Sequence, residues 1–253
     1  MSDSRLPSRL RNAVAIAVMV ACVSTAALAD GFIQSLPPDG RSATLEFVTE
    51  LHHNDEWLGW YEGTFKLSLV GTREEEGVVC RWIELEFRVK NSGGPINDEG
   101  TDNVEVRKYL IPEVCFTSPD KPPLEHVVRA WVSARGEVVA LEKGPDRWED
   151  HWLPALTDRH TVQEADSIEL RGQMLKLPDA VSGRTTWEGV VGDQKLESTT
   201  EHTYWCHESV PFGVVRARHI MHEEFSSWRS RLVREFLIVD MSEETESALP
   251  DHW

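Results

Sequence analysis

"WIELEFRVK", residues 82 to 90, sets Ile83, Leu85, Phe87 and Val89 against Glu84, Glu86, Arg88 and Lys90. Side chains of an extended strand point alternately to its two faces, so this stretch can bury one whole face and wet the other. A helix would scatter both sets around its circumference. The period of two therefore predicts a half-buried strand of an antiparallel sheet.

Working outward, the same alternation recurs. "LEFVTELHH" (45 to 53) puts Leu45, Phe47 and Leu51 opposite Glu46 and Glu50, and "TFKLSLV" (64 to 70) groups Phe65, Leu67 and Leu69. Further strands are expected at "NVEVRKYLI" (103 to 111), "HVVRAWVS" (126 to 133), "EVVALEK" (137 to 143), "SIELRGQMLKL" (167 to 177) and "RTTWEGVV" (184 to 191). "KLESTTEHTYW" (195 to 205), "GVVRARHIMHE" (213 to 223) and "SRLVREFLIVD" (230 to 240) complete a set of about eleven. "ARGE" (134 to 137), "VGDQ" (191 to 194) and the longer "NSGGPINDEG" (91 to 100) carry turn chemistry between them.

Helix signals are sparse. "DRWEDHWLP" (146 to 154) has Asp146 and Glu149 in capping-box spacing and Trp148 and Trp152 four apart, which predicts one short amphipathic helix before Pro154. "MSEETESAL" (241 to 249) reads as another turn or two, or as a frayed end. No fixed-period repeat and no Pro- or Gly-rich linker divides the chain. The fold expected is mainly β: one strongly curved antiparallel sheet or incomplete barrel of about eleven strands, with one or two short helices. A two-sheet sandwich is the alternative way to hide the strand edges.

Arg5, Arg9 and Arg11 precede the apolar run "AVAIAVMVACV", and "ALA" at 27 to 29 ends just before Asp30. This is the order of a cleavable signal peptide, and the run is too short to span a bilayer. Residues 1–29 are thus read as the signal and 30–253 as a single exported β-rich domain, periplasmic or extracellular. "MVAC" at 19 to 22 offers a second outcome, lipid anchoring through Cys22.

Removing residues 1–29, with three arginines and one aspartate, takes the formal charge from −17 to −19. So acidic a chain repels nucleic acid and anionic membrane surfaces, so no nucleic-acid partner is expected. Cys80, Cys115 and Cys206 remain, an odd count, with Cys80 and Cys115 the first choice for a disulfide in an oxidising compartment. The alternative is that they stay buried as small hydrophobes. Ten tryptophans supply bulky apolar surface for a well-filled core or an apolar cavity.

Enzymatic motifs are missing. No Gly-x-Ser-x-Gly, phosphate-cradling glycine loop or protease-like cysteine setting occurs. Metal binding fails on direction: His219 and His222 of "HIMHEE" are three apart on a strand and face opposite ways, as do the pairs His52/His53 and Cys206/His207. No cofactor and no metal is expected. Trp148 and Trp152 are candidate contacts for carbohydrate or another ligand, against the plainer role of packing their helix on the core.

From Ser167 onward the chain reads as a strand with an internal glycine, then a polar hairpin "RTTWEGVVGDQKLEST". "TYWCHESVPFGVVRARHIM" follows, with a tryptophan strand, a Val-Pro-Phe-Gly turn and a returning strand. This order resembles the C-terminal half of secreted and lipoprotein β-proteins of the LolA-like and TapB-like kind. The resemblance covers about the last third of the chain, and "WIELEFRV" and "YLIPE" have no counterpart in it. It implies a curved half-barrel that holds lipid acyl chains or other apolar matter without catalysis. Only Trp205, Pro211, Phe212 and Gly213 correspond, and no carrier function transfers to any residue. Independently of the family, Pro211 fixes its own φ and Gly213 sits where a type I turn favours glycine.

Three functions are consistent with these readings. The first is an exported, non-enzymatic β-protein that binds a lipid or other apolar ligand, or an envelope protein partner, in a concave sheet. The second is a secreted hydrolase acting on carbohydrate or envelope polymer through paired carboxylates. The third is a structural surface protein without a small ligand.

Overall fold

The computed structural model describes residues 31–94, 104–118, 123–134, 137–141, 156–164, 166–191, 194–225 and 228–249. Among the described residues the strands are β1 (Ser42–His53), β2 (Glu56–Glu75), β3 (Val78–Gly93), β4 (Val104–Pro112), β5 (Arg129–Ala134), β6 (Glu137–Ala140) and β7 (Thr157–Val162). They continue as β8 (Asp166–Leu170), β9 (Gln173–Leu177), β10 (Ala180–Val191), β11 (Gln194–Cys206), β12 (Val214–Phe225) and β13 (Arg229–Ser242). Among the described residues the helical content is two short 3-10 turns, Glu113–Phe116 and Pro123–His126. The signal segment with Cys22, and the helix expected at 146 to 154 with Trp148 and Trp152, lie outside the described residues.

As expected, one large antiparallel sheet forms; its eleven strands run in the order β6-β5-β4-β3-β2-β1-β13-β12-β11-β10-β7. The first strand is therefore central. The chain meanders from it to the β6 edge, resumes at the opposite β7 edge, and meanders back until β13 closes on β1. The two edges, β6 and β7, do not pair, so the sheet is not closed. Both are short, which limits the open ladder they present.

Curvature is legible in one contact. Strands β2 and β11 are four steps apart, about 19 Å on a flat sheet. Yet Phe32 lies 4.9 Å from the Phe65 ring on β2 and 5.5 Å from the Tyr204 ring on β11. The sheet must bend around that side chain. Bulges at Leu51/His52, Glu62/Gly63 and Leu69/Gly71 supply the local bends. At Gly63 a Cβ would overlap the Arg88 carbonyl and lie 2.8 Å from the Phe47 ring, so only glycine lets the strands close there.

Three local features differ from expectation or were not foreseen. "SIELRGQMLKL" is not one strand but the separate hairpin β8 and β9, because Arg171 (φ 52°) and Gly172 (φ 75°) both turn left-handed. Short, exposed β7 carries no apolar alternation and was not expected. Residues 243–249, the last of the described ones, form neither helix nor strand.

The main core lies on the concave face. Leu45, Phe47, Phe65, Leu67, Ile83, Leu85, Tyr109, Ala217, Phe236 and Ile238 are all essentially buried there. Phe32 and Ile33 cover it from the N-terminal side, and Leu170 and Leu177 of the β8 and β9 hairpin complete the cover. Arg216 pairs with Asp166 at 3.0 Å and Arg171 with Asp240 at 2.6 Å, pinning the hairpin to the sheet near its base and at its tip. A smaller apolar cluster, with Cys80, Trp82, Val106, Leu110 and Trp131, lies on the convex face.

Candidate functional site

Strand register arranges the concave side chains in rows that cross several strands. Phe47, Phe236, Ala217 and Tyr204 are successive neighbours from β1 to β11. Two residues further along each strand, Tyr61, Thr49, Arg234, His219 and His202 form the next row, from β2 to β11. Beyond it come Leu51, Leu232 and Met221, and then His53, Ser230 and Glu223. The face thus changes from aromatic to polar to aliphatic to polar.

The aromatic row is sealed. Phe32 stands edge-on to Phe236 at 4.8 Å, and Phe47 stacks on Phe87 at 4.6 Å. In the polar row, Arg234 donates through Nε to Thr49 Oγ1 at 2.8 Å and through Nη2 to the Tyr61 hydroxyl. Its guanidinium also stands within 6 Å of the Phe47, Tyr61 and Phe87 rings, a setting for cation–π attraction. Burial pulls the Arg234 pKa below the usual arginine value, with Tyr61 opposing. The His202 and His219 rings meet at 4.5 Å, and Thr185 Oγ1 lies 2.9 Å from His202 Nε2.

The two outer rows border a cavity of about 230 Å³. Leu51, Leu58, Met221, Trp228 and Leu232 give it an apolar wall, and His52, His53, Glu223, Ser230 and Arg231 a polar rim. Ser230 Oγ donates to Glu223 Oε2 at 2.8 Å, and the His53 ring stands 5.3 Å from Trp228. Among the described residues Glu223 is the one carboxylate lining this space, and no group of three or more His, Cys, Asp or Glu side chains could hold a metal ion. Among the described residues, Glu223 has no second carboxylate beside it in this lining.

The sequence-predicted site residues lie elsewhere. Trp205, Pro211, Phe212 and Gly213 are all buried. Trp205 Nε1 donates to the Glu164 carbonyl at 3.1 Å, and the Arg216 guanidinium covers its ring at 4.7 Å. In the turn, the Gly213 N–H donates to the Val210 carbonyl at 2.9 Å, with Pro211 and Phe212 between them. Phe212 has φ 63°, which makes this a type II turn rather than type I. A left-handed phenylalanine costs about 1–2 kcal/mol. Burying its ring, 1% exposed, returns about 1.5–3 kcal/mol, so burial wins. The turn then serves as a seat for the N-terminal cover: Gln34 N–H donates to the Phe212 carbonyl at 2.8 Å, and Ile33 bridges Gly213.

The expected disulfide between Cys80 and Cys115 is not formed. Cys80 belongs to the convex cluster and Cys115 packs against the concave core, so the sheet stands between them. Burial pushes the Cys206 thiol up to about 12, against the pull of Arg159, and raises the Cys80 thiol too, with Glu75 adding to it. Such thiols stay protonated at neutral pH and make poor nucleophiles.

His219 is buried and His222 exposed, as strand alternation required. The sequence reading missed that His219 meets His202 across the hairpin. The signal was available: a reversal centred on Val210 and Pro211 places residues 202 and 219 opposite each other. Tyr61 and Arg234 come from strands far apart in sequence and left no such trace.

No family model matches the chain, and no curated protein sequence matches it. Among solved structures, the crystal structure of MucB in complex with MucA(peri) aligns over 81% of this chain and 94% of that one. The identity is 8% and the TM-score 0.11, a level at which the likeness carries no argument. Among the described residues no helix is long and apolar enough to cross a membrane.

Proposed function

We propose that this is an exported, non-enzymatic β-protein whose concave sheet binds an apolar ligand group at the Leu51, Met221 and Leu232 end. The observation that carries the reading is the cavity of about 230 Å³ at the Leu51, Met221 and Leu232 end of the concave face. Its size sets the occupant. A dry apolar cavity of about 150 Å³ is enough for benzene, while pockets for drug-sized molecules run from about 300 Å³ upward. The space fits one aromatic ring, the end of an acyl chain, or one large apolar side chain of an envelope partner. The apolar wall supplies contact surface, and the polar rim can orient the occupant.

The test is native purification, solvent extraction and mass spectrometry of the extract, followed by titration with toluene and short-chain alcohols monitored by NMR at the Met221 methyl and Trp228 indole. The expected result is a saturable shift at those two positions. An empty extract together with unchanged spectra would overturn the reading.

A further inference from the structure

The convex face carries a buried polar cluster, separate from the cavity. Glu84 on β3 and Lys108 on β4 are register neighbours, and both are buried, at 5% and 0% exposure. Buried charges of this kind are costly unless hydrogen bonds satisfy them. Here those bonds go to residues 247–249. Glu84 accepts from the Ala248 N–H at 2.9 Å, the Leu249 N–H at 3.2 Å and the Ser247 hydroxyl at 2.7 Å. Lys108 Nζ donates to the Leu249 carbonyl at 2.8 Å and to Ser247 Oγ at 2.7 Å. It also stands 5.1 Å from the Trp82 ring. The Leu249 side chain packs with Trp82, Leu110 and Trp131.

A carboxylate and an ammonium thus read both main-chain groups of one residue, an apolar pocket takes its side chain, and a hydroxyl two positions earlier bridges the two charges. This is how a peptide is recognised: main-chain bonds give affinity and a pocket gives selectivity. The segment itself belongs to no strand, and Glu243, Glu244 and Glu246 leading to it are exposed. Side chains rather than a ladder hold it, so it opens at lower free energy than the sheet beneath.

We propose that the Glu84 and Lys108 clasp is a peptide-binding site for an extended segment of pattern Ser-x-Leu. In the isolated chain residues 247–249 fill it, and a partner segment enters by displacing them. The test uses the full-length protein and a fluorescent, C-terminally amidated peptide of residues 242–249. Leu249→Asp vacates the pocket in cis, so this variant binds the peptide about ten-fold more tightly than the wild type. Adding Lys108→Met to it returns binding to background. Hydrogen exchange gives a measurement without any substitution: excess peptide removes protection from the Ala248 and Leu249 amides of the wild type and leaves the β3 amides protected. Equal affinity for wild type and Leu249→Asp would overturn the proposal. So would unchanged protection at residues 248 and 249 under excess peptide, including the case in which the variant does not fold.

Discussion

The two ends of the concave face have the same strands, register and alternation, and they differ in what lies on top. At the Leu45 and Phe47 end, Phe32, Ile33 and the β8 and β9 hairpin complete a closed core in which Phe47 and Phe236 are 1% exposed. At the Leu51 and Leu232 end, the same side of the same strands is half-buried and borders a cavity. Between them the row of Tyr61, Thr49, Arg234, His219 and His202 marks the boundary. An apolar sheet face is thus stability where the chain covers it and available surface where the cover stops.

The greatest contrast between the two ends is expected on truncating a side chain at each. Phe236→Ala should cost about 3–5 kcal/mol, since it removes a fully packed ring beneath Phe32. Leu232→Ala, four residues along the same strand face, should cost about 1 kcal/mol, because the side chain is only half-buried. Denaturant unfolding of both variants checks this, and equal losses would mean that the two ends are packed alike.

Gly213→Ala tests the seat of the cover. A Cβ at φ 84° would lie 3.0 Å from the Gln34 Cβ, so about 1–2 kcal/mol should be lost. The loss should appear as faster hydrogen exchange at the Gln34 amide. At the open end, Leu58→Trp should fill the cavity, with stability held within about 1 kcal/mol. Toluene binding, read at Met221 by NMR, should fall about ten-fold or more. Retained binding would place the ligand elsewhere.

The smallest effect concerns the pin on the hairpin. Hydrogen bonding from Arg171 holds the exposed Asp240 carboxyl below the usual aspartate value. A carboxylate whose folded pKa is depressed contributes stability above its unfolded pKa and loses it as pH falls through the folded one. Hydrogen exchange in β8 and β9 should therefore accelerate below the ordinary aspartate range in the wild type. In Asp240→Asn that acid-dependent step should be absent.

Legibility in the sequence followed the range of the interaction. The alternation in "WIELEFRVK" and its companions is a property of neighbouring residues, and it located ten of the strands in the main sheet. It failed where the signal was weak or ambiguous. β7 has almost no buried residue, and the turn at Arg171 and Gly172 interrupts an alternation that runs on through both arms of its hairpin. The Phe212 conformation was hidden for the opposite reason: tertiary burial offsets the strain of a backbone geometry that local preference disfavours. Cys80 and Cys115 are the first choice for a disulfide on count and compartment, but packing decides which face of the sheet each serves.

The sequence by itself determined a mainly β chain, a curved antiparallel sheet, and the opposite-face placement of His219 and His222, because period and steric preference act within a few residues. Only the tertiary structure decided which strand is central, where the cover ends and the cavity begins, and that Glu84 and Lys108 close on residues 247–249. Those outcomes depend on contacts between residues far apart in the chain, whose loop-closure cost and packing gain no local pattern encodes.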